Sequence, residues 1–176
     1  MFRRIAWVDN NATPKLNLSG SAFGWGINAS SNLKFRESTT GRLQLVYGHG
    51  IQNYMNDAPI DIGVQHNLSN PVTPLKGVPL PLLGAVAFVD HNWSPKFSST
   101  FGGSMVNIWN SEAESPSDLH QGYYALTDLL FYPVKNVMAG GEFQYGRRVN
   151  FQNGYNFNDF RVQFSFKYSY GKTFAF

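Results

Sequence analysis

The chain has no cysteine among its 176 residues, which excludes disulfide scaffolds, thiolate metal centres and thiol nucleophiles. Charge is scarce too: Asp, Glu, Lys and Arg together make up 14%, against about 25% in ordinary soluble domains. The net charge of +3 is spread along the chain with no basic block, so a nucleic-acid partner is not expected. Long hydrophobic runs are also missing. The longest, residues 77–89, is interrupted by Pro79 and Pro81 and falls short of the roughly 20 apolar residues of a membrane-crossing helix. His49, His66, His91 and His120 are scattered, with no His-x-x-x-His pair, phosphate loop, dinucleotide fingerprint or nucleophile elbow. No cofactor, metal or catalytic group is expected.

What the chain does have is aromatic side chains, 16% of the total, set in strict alternation. From Phe160 to Tyr170 the sequence reads F-R-V-Q-F-S-F-K-Y-S-Y. Successive side chains of a strand point to opposite faces. Phe160, Val162, Phe164, Phe166, Tyr168 and Tyr170 therefore share one face, and Arg161, Gln163, Ser165, Lys167 and Ser169 the other. Phe176 ends the chain on the apolar parity. An amphipathic C-terminal strand of this kind points to an outer-membrane barrel, whose apolar face meets lipid and whose polar face lines a lumen. A mean hydropathy of −0.27 does not argue otherwise, because half of each barrel strand is polar.

Carried along the chain, the period-two pattern predicts eight strands: 2–8, 18–35, 42–55, 83–91, 96–109, 123–132, 138–149 and 160–170. In the second, Phe23, Trp25, Ile27, Ala29, Leu33 and Phe35 alternate with Gly24, Gly26, Asn28, Ser30, Asn32 and Lys34. In the third, Leu43, Leu45, Tyr47 and Ile51 oppose Arg42, Gln44, Gly48, Gly50 and Gln52, while His49 breaks the apolar side. Breaker-rich connections fall at 9–14, 37–41, 92–95, 110–121, 133–136 and 150–158. Residues 56–81 carry five prolines and no period, and read as a long extracellular loop. Long and short connections alternate, the pattern of an up-and-down barrel with its long loops on one side. The expected fold is all-β, a transmembrane antiparallel up-and-down barrel of about eight strands, residues 1–176 forming one domain or half-barrel.

Several stretches resemble the C-terminal half of the DcaP-like outer-membrane porins. They are A-F-G-W-G-I-N at 22–28, R-L-Q-L-V-Y-G-H-G at 42–50, D-H-N-W-S-P-K-F-S-S at 90–99, G-E-F-Q-Y-G-R-R-V-N at 141–150 and R-V-Q-F-S-F-K-Y at 161–168. The resemblance implies a sixteen-stranded, trimeric porin barrel of the Gram-negative outer membrane passing small, often anionic solutes. The family's chains are about twice as long and carry a signal peptide, and they end near the position of Tyr170. Residues 1–9, M-F-R-R-I-A-W-V-D, hold too short an apolar run for a signal peptide. The chain is thus expected to be the C-terminal portion of such a barrel, with an N-terminal half-barrel as a further partner.

Parity gives the candidate residues. Arg161, Lys167, Arg148, Glu142, Gln144, Arg42 and Lys34, with Arg36, are expected to line the lumen and steer solute; the plainer reading is a Glu142–Arg161 pair holding the wall. Phe164, Phe166, Tyr168, Tyr170, Phe143, Tyr145, Phe23 and Trp25 are expected in a lipid-facing aromatic girdle. Asp57, Asp61, Glu112, Glu114 and Asp118 read as solvated loop acids.

The expected function is passage of small hydrophilic solutes, preferring anions such as carboxylates, without catalysis. The partners are outer-membrane lipid, small anions and, in the full-length form, two further copies. Alternatives are a self-contained eight-stranded barrel that anchors or adheres, a barrel enzyme built on His120 with Ser115, Ser117 and Asp118, and a soluble ligand-binding barrel.

Overall fold

The structure, a computed structural model, describes residues 1–8, 18–55, 58 and 60–171. The turn expected at 9–14, and Asp57 and Phe176, lie outside the described residues. Eight strands form one sheet in the order β1-β2-β3-β6-β7-β8-β9-β10, and two more, β4 (Ile62–His66) and β5 (Leu75–Pro79), pair separately. The eight are β1 (Phe2–Trp7), β2 (Gly20–Arg36), β3 (Thr39–His49), β6 (Pro81–Ser94), β7 (Phe97–Ile108), β8 (Leu119–Phe131), β9 (Val137–Asn150) and β10 (Asn156–Tyr168). Every neighbouring pair is antiparallel. No pairing joins β1 to β10 among the described residues, so the sheet is open at both edges. The all-β, up-and-down, antiparallel expectation holds; barrel closure within this chain does not.

All eight expected strands form, with shifted ends. The β2–β3 turn is only Glu37–Ser38, so β3 starts at Thr39 rather than Arg42. It also stops at His49 rather than Met55. Gly50 takes φ 63° there, a left-handed conformation that glycine adopts without steric cost, and Gln52–Tyr54 turn into a short 3-10 helix. The expectation that Ile51 and Gln52 continue a strand is therefore corrected. Residues 56–81 are corrected as well. They hold a hairpin, β4 (Ile62–His66) against β5 (Leu75–Pro79). Its strands are short, and prolines interrupt the sequence on both sides, which hides the alternation.

Register defines two faces, since directly opposed residues of an antiparallel pair share one. On one face the described residues of segment 50–80 fold back over the sheet. Its Ile51, Ala58 and Leu80 join Val46, Leu82, Val106, Ile108 and Leu119 of the sheet in a buried cluster, with Met55 packed against it. This is the covered face. The strand glycines make room for the segment: a Cβ on Gly84 would lie 2.6 Å from Met55 Cε, and one on Gly26 would lie 2.8 Å from Ile51 Cδ1. Fully buried Gln52 donates from Nε2 to Leu80 O at 3.1 Å and ties the segment's start to its end.

The opposite face is bare. Phe23, Ile27, Leu45, Phe101, Leu129, Phe160, Val162, Phe164 and Phe166 on it are each more than half exposed.

Candidate functional site

The covered face holds every lumen candidate except Arg36. Arg161 stands opposite Gln144, Gln163 opposite Glu142, Phe157 opposite Arg148, and Lys167 opposite Met138. The rows run on through Leu126 and Asp128 on β8 and end with Arg42 opposite Asn32 and Lys34 opposite Thr40. Arg36 is turned away: a bulge between Lys34 and Arg36 sets it opposite Thr39, in the row of His91, which belongs to the bare face. An inserted residue flips parity locally, and alternation read from sequence alone does not register it.

The expected ladder of cations is a mixed surface. Within the eight strands this face carries Arg3, Lys34, Arg42, Arg148, Arg161 and Lys167, and also Asp90, Asp128, Glu142 and Asp159. The acids of β6 and β8 were legible had parity been carried through those strands, because Asp90 and Asp128 alternate with Val89, His91, Thr127 and Leu129. Arg42 Nε meets Asp90 Oδ2 at 2.5 Å. The other oxygen of Asp90 accepts from Thr100 Oγ1 at 3.1 Å. Thr100 N donates to Asp128 Oδ1 at 2.7 Å, and Asp128 stands directly opposite Glu142. Glu142 accepts from Gln144; a Glu142–Arg161 ion pair is not among the ion pairs of the described residues. Arg148 donates from Nε to Asn150 Oδ1 at 2.8 Å and from Nη2 to Ser117 O at 3.1 Å, which fixes it at the long-connection end. Arg161, Lys167 and Lys34 form no ion pair among the described residues.

Segment 50–80 is clamped at its sheet-edge side by Arg3, which the sequence reading passed over. Its guanidinium pairs with Asp61 Oδ2 at 3.0 Å, both side chains under a fifth exposed. It also donates to Asn53 Oδ1 and lies over the Tyr54 ring at 5.4 Å. On the other side, Ala113 N donates to Val64 O at 3.1 Å and Ser111 Oγ to the same carbonyl at 2.7 Å, with His66 3.6 Å from Glu112. Burial pushes the Glu114 carboxyl above the ordinary value of 4.5, and Asp118 acts in the same sense, against hydrogen bonds from Ser111 and Asn110. Between the segment and strands β3 and β6–β10 lies a cavity of about 690 Å³, bordered by Gln44, Met55, Ser104, Tyr124, Arg148 and Asp159. The face can thus present both charges and apolar surface to a solute beside an inserted segment.

The bare face carries all the girdle candidates that lie within strands: Phe23 and Trp25 on β2, Phe143 and Tyr145 on β9, Phe164, Phe166 and Tyr168 on β10. Tyr170 lies just past β10. Aromatic groups lie at both ends of the strands, and Phe101, Phe143, Tyr145, Phe160 and Phe164 also fill the strand middles. Trp25 stacks on His49 at 5.3 Å, and Tyr47 meets His49 and Trp109 edge-on at 6.0 and 6.4 Å. His49 therefore joins an aromatic group rather than breaking it. At the short-turn end Phe97 stacks on Phe131 at 4.8 Å and Trp93 meets His91 at 4.3 Å. Tyr47, Trp93, Phe97, Trp109 and Phe131 were not among the candidates; Phe143 and Tyr145, which were, sit within β9. Among the described residues of the eight strands, Asp and Glu are absent from this face and only Arg4, Arg36 and Arg147 are charged.

His120, the centre of the enzyme alternative, has Nδ1 3.0 Å from Asn110 Oδ1, while Ser115 and Ser117 bond each other at 2.8 Å.

The fold has a solved counterpart. It resembles part of an outer-membrane channel. The crystal structure of the outer membrane channel DcaP of Acinetobacter baumannii superposes with a TM-score of 0.68 at 16% sequence identity, over 87% of this chain and 42% of the channel's. The chain therefore spans less than half the length of that channel. The resemblance read from the sequence motifs agrees with this structural likeness. No protein-family model matches the chain, and neither does a curated protein sequence.

Proposed function

We propose that the eight-stranded sheet is part of the wall of an outer-membrane pore, with the bare face in lipid and the covered face toward an aqueous passage. One observation carries this: a single sheet in a channel fold keeps one face free of acidic residues and bounded by aromatics, and gathers its charges on the other. An apolar band flanked by aromatic girdles and a polar interior is the pattern of a barrel in a bilayer. A soluble ligand-binding barrel would need the reverse.

The passage favours small anions such as carboxylates. On the covered face the cations outnumber the acids by six to four, as named above. Two cations are spoken for by Asp61 and Asp90, which leaves Arg148, Arg161, Lys34 and Lys167 beside Asp128, Glu142 and Asp159. The preference is accordingly mild, and rests on how the free cations sit along the path rather than on bulk charge. Passage is by diffusion, with no catalytic step. The unpaired edges of β1 and β10 cannot remain in hydrocarbon, where each open N–H and C=O costs several kcal/mol. In this reading further strands, an N-terminal half-barrel, complete the wall, and the assembled pore is a trimer.

The test is planar-bilayer conductance of the refolded chain, alone and with a candidate N-terminal half-barrel, with reversal potential in a salt gradient. Stepwise, mildly anion-selective conductance is expected only with the second half present. A folded, membrane-inserted assembly that never conducts would sink the pore reading.

A further inference from the structure

Among the polar groups on the bare face, one spans several strands. Asn107, Gln121, Tyr123, Arg147 and Asn156 come from four successive strands, β7 to β10, toward the long-connection end. They form a continuous relay. Gln121 Nε2 donates to Asn107 Oδ1 at 2.8 Å, and Tyr123 Oη donates to Gln121 Oε1 at 3.2 Å. The Arg147 guanidinium lies over the Tyr123 ring at 5.9 Å and donates from Nε to Asn156 Oδ1 at 2.8 Å. Asn107 is 91% buried, so the relay is anchored in the wall. Arg147 itself is exposed.

Three features point to an anion at this place. Arg147 has no acidic partner among the described residues, and no acid shares its face in the strands around it. Its orientation is set on one side by Tyr123 and on another by Asn156, and neither terminal nitrogen is hydrogen-bonded among the described residues. A planar guanidinium held this way offers a two-pronged donor that matches a phosphate. Arg147 lies three residues from the long-connection end of β9, which, with the bare face in lipid, would put it at headgroup depth.

We infer that Arg147, held by Tyr123 and Asn156, binds a phosphate group of a membrane lipid in the leaflet on the long-connection side. The inference rests on the reading of the bare face as lipid-facing. A free phosphate ion offers the same chemistry, but the lipid is favoured because the apolar strand middles beside the site would take its acyl chains.

The experiment uses the full chain folded in detergent micelles and, as probe, diphosphoryl lipid A titrated by native mass spectrometry. Lipid A with both phosphates removed and inorganic phosphate serve as comparison probes. Saturable binding of the diphosphoryl probe is expected, with clearly weaker binding of the dephosphorylated form and none of inorganic phosphate at matched concentration. Arg147→Gln weakens binding about tenfold, the loss of a charge-assisted hydrogen-bond pair. Arg147→Lys, which keeps the charge without the fork, weakens it less, and Arg36→Gln, on the same face at the other end, leaves it unchanged. Heat-modifiable gel mobility confirms that each variant is folded. Equal binding by wild type and Arg147→Gln overturns the inference, as does equal loss in Arg36→Gln or equal binding of inorganic phosphate. A change in oligomer size without a change in lipid binding overturns it in favour of a contact between copies. Carbonate extraction of the wild-type chain from vesicles separates the two levels: extraction defeats the membrane reading itself, whereas an inserted chain insensitive to Arg147→Gln defeats only this site.

Discussion

The two faces of the sheet are made by the same strands, yet they follow opposite rules. On β3, Leu43 and Leu45 point to the bare face and Arg42 and Gln44 to the covered one. Charges on the covered face are numerous, mixed and cross-linked through Thr100, Asp90 and Asn150. On the bare face the few charges lie toward strand ends and large apolar side chains stay exposed. In water such exposure would be an aggregation hazard; in a bilayer it is the solvated state. Under the proposed function the two faces meet two different solvents.

The largest effects, of similar size, should come from placing a charge on the wrong face and from emptying the core under the covering segment. Leu43→Arg is expected to cost about 2–4 kcal/mol, the range for arginine on the lipid side near the bilayer centre. Its neighbour Gln44→Arg should stay within about 0.5 kcal/mol, as for a tolerated surface change. Urea titration of the chain folded in vesicles, read by gel mobility, compares the two. Equal costs would break the distinction between faces.

The second of these concerns the attachment of the segment that makes one face covered. Leu82 is fully buried under it, and Leu82→Ala should cost about 2–5 kcal/mol and speed protease cleavage within 52–79. Arg3→Met leaves Asp61 without its partner and Asn53 without its donor, a loss of about 1.5–3 kcal/mol for hydrogen bonds to a charged group. Cleavage should then localise to the β4 side of the segment, and conductance of the assembled pore should become noisier.

How much of this was legible in the sequence varied with how far alternation could be trusted. β9, β10 and β2 as far as Lys34 keep period two, so their faces, and the placement of Arg161, Lys167, Arg148 and Lys34, followed from parity alone. Parity failed at Arg36, where a bulge adds a residue, and beyond His49, where Gly50 turns the chain. It missed the β4–β5 hairpin, because strands of five residues flanked by prolines leave too few alternations to register. The Arg3–Asp61 clamp joins residues far apart in sequence, and no local pattern announces such a contact.

The smallest expected effect concerns the outer edge of the covered segment. Glu114 holds its proton more tightly in the folded chain than in the unfolded one. Its contribution is therefore most favourable to folding at low pH and declines as pH rises from its ordinary 4.5 through the raised folded value. Amide exchange in 109–118, corrected for intrinsic rates, should show slightly weaker protection at pH 7 than at pH 4. Glu114→Gln should flatten that difference; a difference that persists would assign it to another group.

Because the chain contains no cysteine, the central claim can be tested residue by residue. Single cysteines at 42 through 47 of β3 in the membrane-inserted assembly would be exposed in turn to a charged, membrane-impermeant thiol reagent and to a quencher dissolved in the lipid. Strict alternation is expected: 42 and 44 react from water, 43, 45 and 47 are reached only from lipid, and 46, buried under the inserted segment, is slow with both. Uniform reactivity from water along the strand would contradict the assignment of the bare face to lipid, and with it the pore wall.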